Sequence, residues 1–455
     1  MVSIWRRTKF SFAQTAPGGK NKFSCKNNTT PGLFNFEPLI MRNTKFWWFL
    51  IGLMILLDFY VFQAIRLLTI PASPRVRTIV HAGYWAISAL CLLLLLLLPY
   101  LKFSHDSWIS RNTVFFTIIG IFFAKAIAAV FFLVDDIRRL LQWASLKLGW
   151  YTPVTSETTP GGITRSVFMT WTGMIFGGSL FGTLLYGFGN KYRYQLNRVP
   201  VSFANLPQAF KGLKIVHISD IHSGSFNNRK AVMRGVEKIM NEKPDLILFT
   251  GDLVNNTADE MDDYQEMFSQ LNAPLGVYSV LGNHDYGEYV QWDSPREKTD
   301  NLDALKKVHA NMGWRLLMNE HVVLEKDNER IALLGVENWG AKANFPKYGK
   351  LKEAHAGTGQ YPFKILMSHD PSHWDAEVRK EYNDIDLMLS GHTHGMQFGV
   401  ELPGFRWSPV QYMYDQWAGL YDDGKQKLYV NRGYGFLAYP GRVGILPEIT
   451  VLELG

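Results

Sequence analysis

Ile215-Val216-His217-Ile218-Ser219-Asp220-Ile221-His222-Ser223-Gly224 decides how the second half of this 455-residue chain is read. A mainly apolar run enters an Asp-x-His pair and then Ser-Gly, the pattern of a buried strand ending at the mouth of a loop. On an extended segment residues i and i+2 point the same way, so Asp220 and His222 are expected to aim a carboxylate and an imidazole at one point. Asp-x-His alone recurs by chance. Three further segments carry the same kind of chemistry: Gly251-Asp252, Gly282-Asn283-His284-Asp285 and Gly391-His392-Thr393-His394. His369-Asp370 follows another apolar run. The ordered set carries the signal, not any one histidine.

Outward from this stretch, strands and helices alternate from about residue 200. Strands are expected over 214–219, 244–250, 276–281, 314–318, 322–324, 331–336, 363–368 and 386–390. Helices are expected over 228–241, 259–271 and 302–312 and near 373–381, with a Gly- and strand-rich end from 427 to 454. This order predicts an α/β core of two packed sheets covered by helices. Each motif falls just after a strand, where ligands bind in open α/β sheets. Together they supply Asp220, His222, Asp252, Asn283, His369, His392 and His394. Carboxylate, amide oxygen and imidazole suit hard-to-borderline metal ions, and the lack of thiolate argues against a structural zinc site. Seven ligands are too many for one ion with an open position. They fit two ions sharing a carboxylate.

The complete, ordered run resembles that of the calcineurin-like metallophosphoesterases, over about residues 200–455. The resemblance implies a four-layer α/β/β/α sandwich of two packed mixed β-sheets and a metal-dependent hydrolase of phosphoric esters or diphosphates. By it, Asp220, His222, Asp252 and His394 would hold one metal, and Asp252, Asn283, His369 and His392 the other, with Asp252 bridging. His284 would be the acid that meets the leaving group, and Asp285 would orient or tune it. Gly433-x-Gly435, Arg442 and Pro447-Glu448-Ile449 look like the end of this family's domain. Mn, Fe and Zn all suit the ligands. Two metals ~3.5–4 Å apart clamp a phosphate and lower the pKa of a water, so no Ser or Cys nucleophile is required. A histidine placed to protonate a leaving alkoxide does the usual work of a general acid.

The remaining candidates are expected to do less. His217 reads as structural or as support for the site, and His373 as an exposed helical residue. His81, His105, His309, His321 and His355 have no motif and read as solvent-facing or packing residues. Asp370 is expected to support His369. Ser223 and Gly224 give the loop after Asp220 its turn, and Gly391 and Gly395 let backbone approach the metals. The aromatic stretches 286–292 and 405–417 are candidates for a substrate groove, with packing or membrane contact as the alternative.

The first half is of another kind. Four apolar blocks, 46–70, 79–101, 113–134 and 167–188, each have about the 20 residues a helix needs to cross a bilayer. Residues 41–190 are therefore expected to form a four-helix transmembrane region. Asp58, Arg66 and Lys125 lie in or near the spans. Arg66 is expected to snorkel to the interface, and Asp58 and Lys125 to pair or face a wet seam. The Gly177-Gly178-x-x-x-Gly182 spacing is expected to let helices approach closely. Residues 135–165 begin as an amphipathic continuation and turn into a Thr/Pro/Gly linker. Lys191-Tyr192-Arg193-Tyr194 and Arg198 are expected to sit at headgroup level.

Residues 1–40 read as a disordered tail, or as sequence upstream of a true start at Met41. Arg6-Arg7-Thr8-Lys9 is followed by no apolar core, so a secretory or twin-arginine signal is disfavoured. The two cysteines, Cys25 and Cys91, exclude a disulfide framework. A net charge of +7 without a dense Lys/Arg run points to membrane-flanking cations rather than nucleic acid. The tail's cations tip the termini, and so the catalytic domain, toward the cytoplasmic side of a bacterial inner membrane.

Tethering, and a resemblance to UDP-2,3-diacylglucosamine pyrophosphatases of lipid A synthesis, lead to an expected lipid-linked or interfacial phosphoester or diphosphate substrate, with membrane lipids as partners. The rivals are a phosphodiesterase or phosphatase acting on soluble nucleotides or phosphoproteins, with the spans as anchor only, and a non-enzymatic membrane receptor or transporter. A transporter would show broken helices or inverted repeats, and an inactive domain a broken ligand set.

Overall fold

The computed structural model describes residues 44–98, 108–150, 164–342 and 345–455. The tail 1–40, the choice between Met1 and Met41, His105 and the linker segment 151–163 lie outside the described residues. Four helices, α1 Thr44–Thr69, α2 Pro74–Leu97, α3 Trp108–Lys147 and α4 Arg165–Gly187, are long and apolar enough to cross a membrane. Ser73 caps α2 and Pro74 opens it, where a missing N–H costs nothing. Helix α3 runs past Val134 to Lys147, as the amphipathic continuation requires.

A polar network sits in the bundle. Lys125 ion-pairs with Asp58, and Ser88 Oγ and Tyr84 Oη donate to the same carboxylate oxygen at 2.9 and 3.1 Å. Close helix approach is made by Gly177, as expected, but with Gly173 in place of Gly178 and Gly182. A Cβ on Gly177 would lie 2.3 Å from the Ala124 carbonyl oxygen, and one on Gly173 2.8 Å from that of Ala128. Gly178 and Gly182 meet nothing within 4 Å. The α3–α4 seam is therefore Gly173-x-x-x-Gly177 against Ala124-x-x-x-Ala128.

The second half carries two six-stranded sheets. The first holds β1 Gln195–Val201, β2 Lys214–Ile218, β3 Leu246–Phe249, β4 Val277–Ser279 and β5 Arg315–Leu316, with β14 Glu448–Leu454 inserted between β1 and β2. The second has β6 Glu320–Lys326, β7 Glu329–Gly335, β8 Lys364–Met367 and β9 Leu387–Ser390, then β13 Gln426–Val430 and β12 Gly419–Asp423 at its other edge. Strands β10 Val400–Leu402 and β11 Phe405–Trp407 form a separate hairpin.

Alternation explains the layers. Ile215, Leu246 and Leu248 meet Leu333, Ile365, Met367 and Leu387 between the sheets. Val216, Ile218, Ile247 and Phe249 face outward onto α5 Arg229–Asn241 and α6 Pro295–Asn311. Leu334, Leu366 and Met388 face outward onto Leu351, Ala354 and Trp374. Strands buried on both faces read as continuous apolar runs, which is why the sequence revealed them. The result is the expected four-layer α/β/β/α arrangement.

Several local expectations fail for identifiable reasons. Residues 195–201, expected to hold only a headgroup cation at Arg198, form β1, paired in parallel with β14 from Gln195↔Glu448 to Val201↔Leu454. Tyr194 is buried with its ring 4.4 Å from that of Tyr434, and Arg198 ion-pairs with Glu242 at 2.7 Å. The helix expected over 259–271 breaks into short turns, 258–261 and 265–268. Helix α6 begins seven residues earlier than expected, because Ser294 caps it and Pro295 opens it. His373 is fully buried, bonded to Ser368 Oγ and Glu377 and stacked on Trp339.

Candidate metal centre

The strand of the opening stretch stops at Ile218, and Asp220 and His222 both adopt the left-handed conformation, at φ 52° and 49°. Their convergence therefore comes from a strained turn, not from strand alternation. Asp252, His392 and His394 share that conformation, at φ 60°, 71° and 50°. Non-glycine residues held there cost of order 1–3 kcal/mol each and cluster at functional sites. Backbone bonds fix them: Asp220 N donates to Gly251 O at 2.9 Å and His222 N to Asp252 O at 3.1 Å. Gly391 is required, since a Cβ there would lie 2.2 Å from Asp220 Oδ2, whose carboxylate accepts the His392 amide at 3.0 Å.

All seven candidate ligands come together in two adjoining groups. Asp220, His222 and His394 form one, and Asp252, His369 and His392 the other. His222 Nε2 lies 3.0 Å from His394 Nε2, and His394 Nε2 lies 3.3 Å from Asp220 Oδ1. Asn283 Oδ1 lies 2.9 Å from His392 Nδ1 and 3.2 Å from His369 Nε2. Asp252 Oδ2 faces both groups, 3.5 Å from His222 Nε2 and 3.2 Å from His369 Nε2.

The far side of each ring determines what the near side offers. His222 Nδ1 meets Asn255 Oδ1 at 3.1 Å, and His369 Nδ1 donates to Thr250 O at 2.8 Å. Both thereby turn the Nε2 lone pair inward, as metal-binding histidines do. His392 Nε2 meets Tyr414 Oη at 3.0 Å. His394 differs, because its Nδ1 meets an Arg442 nitrogen at 3.3 Å and arginine can only donate.

The cluster's charge balance is that of a cation site. Burial would raise Asp252, yet His369 and His284 hold its carboxyl well below the usual range. Burial would lower His369, but Asp252 and Asp220 lift it to about 10. Burial raises Asp220 to about 6, with Asp252 adding to the rise. Buried carboxylates and inward lone pairs thus converge on a space where only protons or cations resolve the repulsion, so the donor set fits metal ions.

His284 sits beside this cluster. Its backbone N–H donates to Asp252 Oδ1 at 2.8 Å, and its ring Nδ1 donates to Asn255 O at 2.8 Å. Burial lowers its ring below the ordinary value. Asp285 does not touch that ring. Its carboxylate accepts the amides of Gly282, Asp252, Leu253 and Val254, so it braces the loop presenting Asp252. A fully buried carboxylate must be satisfied, and four nearby amides satisfy it. Asp370 likewise serves other partners than expected: Oδ2 lies 3.4 Å from Tyr414 Oη and 3.8 Å from His392 Nε2. His217 supports from within the sheet, bonded to Thr250 Oγ1 at 2.9 Å.

Two residues at the site had no signal in sequence. Asn255 holds both His222 and His284, and Glu260 fixes its loop by accepting the Asn255 and Asn256 amides. Tyr289, within one aromatic stretch, accepts from Asn283 Nδ2 at 2.8 Å and so turns the Asn283 Oδ1 toward the histidines. From the other stretch, Tyr414 reaches His392.

Comparison with known proteins agrees with this geometry. Residues 213–396 match the calcineurin-like phosphoesterase family, and residues 41–190 match a domain described as "Probable Calcineurin-like phosphoesterase, transmembrane domain". An uncharacterised metallophosphoesterase of Bacillus subtilis is 30% identical over 298 residues, covering 62% of this chain and 94% of that protein. A transmembrane protein with a metallophosphoesterase domain from Danio rerio is 29% identical, and the match spans 56% of each chain. A UDP-2,3-diacylglucosamine pyrophosphatase of Chlamydia muridarum is 28% identical over 52% of this chain and 81% of that protein. With four membrane-type helices ahead of a two-group carboxylate–histidine centre, the chain belongs to the calcineurin-like metallophosphoesterases, as a membrane-associated, metal-dependent phosphoester hydrolase.

Proposed function

We propose that this hydrolase cleaves a phosphoester or diphosphate bond of a lipid-linked substrate of the UDP-diacylglucosamine kind. Asp220, His222, Asp252 and His394 would hold one metal and Asp252, Asn283, His369 and His392 the other. The observation that carries the substrate class is the seating of the centre. The Arg442 backbone N–H donates to Gly187 O, the end of α4, at 2.9 Å, while its guanidinium reaches His394. A centre joined to a span end by one residue would lie where a lipid headgroup is presented. The Chlamydia relative's named substrate supports the same class.

Bound ions, for which Mn, Fe and Zn are all suitable, would activate water and neutralise phosphoryl charge. The chain's own residues supply the rest. Tyr289 and Asn255 fix the orientation of Asn283 and His222. His284 keeps Nδ1–H on Asn255 O, which leaves Nε2 as its open nitrogen. Because burial favours the neutral ring, Nε2 would take the proton that the attacking water gives up and pass it to the leaving oxygen. We further place the catalytic domain on the cytoplasmic side of a bacterial inner membrane, supported by the cations Arg6, Arg7 and Lys9 of the tail.

A Mn²⁺-supplemented hydrolysis screen of the purified full-length protein tests the substrate class. It compares UDP-linked acylated sugars, phospholipids and p-nitrophenyl esters. The acylated diphosphate is expected to show the highest kcat/KM. Equal turnover of dispersed lipid and soluble esters would overturn lipid specificity.

A further inference from the structure

The catalytic half exposes its large apolar side chains in one place. Among the described residues after Asn190, Val323 aside, they are Met396, Val400, Leu402, Phe405, Tyr412 and Met413, between 42% and 77% exposed. All lie on the hairpin β10–β11 or on the segments flanking it. A soluble surface scatters such residues singly, and a contiguous group marks an interaction site.

The location of the group identifies the partner. Phe398 bridges Val443, Gly399 N donates to Val443 O at 2.9 Å and Val443 N donates to Gln397 O at 2.8 Å. The segment so joined, 438–443, is the one seated on the span ends. Tyr439 Oη donates to Leu184 O in α4, and its ring packs edge-on against Phe116 of α3. Asn112 Nδ2 donates to Ala438 O at 3.3 Å. The hairpin is thus continuous with the contact that holds the catalytic domain against the membrane end of the bundle. Lys342, bonded to Met413 O and lying over the Tyr414 ring, adds a cation at its border. Apolar tips bordered by a cation and next to a span end are the composition of an interfacial anchor.

We propose that the segment from Met396 to Met413 is a membrane-inserting face whose partner is the lipid bilayer, and that it holds the mouth of the metal centre at headgroup level. Tyr414, next to Met413, bonds His392, so the inserted face adjoins the site directly. The inference rests on the four helices crossing a bilayer and not on the substrate class. It therefore stands even if the substrate proves soluble.

The test places a fluorophore on Leu402→Cys in the full-length chain, with Cys25 and Cys91 replaced by alanine. The labelled protein is reconstituted singly into lipid nanodiscs. Unaltered turnover of a p-nitrophenyl ester serves as the folding control, and a Phe405→Cys label is the second site if the first fails it. Apolar tips that sit ~5–10 Å into the headgroup boundary should lose about twofold or more of their emission to lipids carrying a nitroxide near the headgroup. Quenching by aqueous iodide with nitroxide lipids silent would overturn the proposal. So would silence to both quenchers, which would mean that protein covers the face.

Discussion

The Arg442 guanidinium lies 3.3 Å from His394 Nδ1 and also donates to the carbonyls of Arg432 and Gly433, at 2.8 and 3.3 Å. It is fully buried, and burial lowers it to about 9. It therefore orients a candidate ligand from behind while tying together the loop that follows β13. Arg442 donates to the ring where the usual partner of a metal-binding histidine accepts, so it acts by holding His394 and the 432–435 loop in place; losing such support typically costs about 10–100-fold in metal affinity. Arg442→Gln should weaken metal binding by about that factor, and turnover at limiting metal should fall with it. Arg442→Lys keeps a cation without the fork and should fall between. A metal titration showing wild-type affinity in Arg442→Gln would refute this role.

Asp252 and His284 should separate metal content from chemistry. Asp252 faces both ligand groups, whereas the His284 ring meets Asn255. Asp252→Asn should lose both metal and activity. His284→Ala should keep its metal yet lose about 10²–10⁴-fold in kcat, the usual contribution of a positioned acid–base group. Elemental analysis beside kinetics decides the matter. If Asp252→Asn kept two metals and full activity, the site assignment would be wrong.

The contrast between these residues shows what a sequence can reveal. Each motif keeps its ligands within a few residues of a strand end, and strands buried on both faces are easily seen. The left-handed turns at Asp220 and His222 are not, because only the assembled network over-determines them. Asp285 stands beside His284 in sequence, yet its carboxylate braces the Asp252 loop, since unpaired amides there compete for it. Asn255 and Arg442 come from loops whose roles exist only once the sheets have packed. Strand β1 was hidden because its partner β14 lies at the other end of the chain.

Acid should destabilise the folded catalytic domain through histidines buried neutral. Burial lowers both His217 and His309 to about 3, against an ordinary 6.5. Between those values the unfolded chain binds protons that the folded chain refuses. Their stabilising effect is therefore fully present above pH 6.5 and is lost as pH falls toward 3. Each contributes a slope of up to about 1.4 kcal/mol per pH unit. His309→Gln should flatten the decline of unfolding free energy with acid by about that amount. An identical slope in mutant and wild type would rule the mechanism out.

The α3–α4 seam makes opposite predictions for two glycines on one helix. A side chain at Gly177 would strike the Ala124 backbone, whereas Gly182 faces open space. Gly177→Leu should separate the helices and sharply reduce the yield of folded protein. Gly182→Leu should be nearly neutral, lying against lipid. Thermal unfolding in detergent compares them, and equal losses would show that the seam is not set by close backbone approach.

The Asp58–Lys125 pair allows a structural role to be told from a functional one. Both side chains are largely withdrawn from their surroundings, and Ser88 and Tyr84 complete the network. Removing one partner leaves an uncompensated charge, typically costing about 3–5 kcal/mol, while replacing both with apolar groups is often neutral. Lys125→Met should therefore destabilise the bundle, and Asp58→Leu with Lys125→Met should restore it. If the pair only packs helices, the double variant should also hydrolyse substrate in nanodiscs at the wild-type rate. A double variant that unfolds normally but turns over lipid-embedded substrate slowly, with soluble esters unaffected, would instead make the pair part of how the bundle delivers substrate. Ionisable groups inside a membrane are retained at enough cost that this outcome deserves equal measurement.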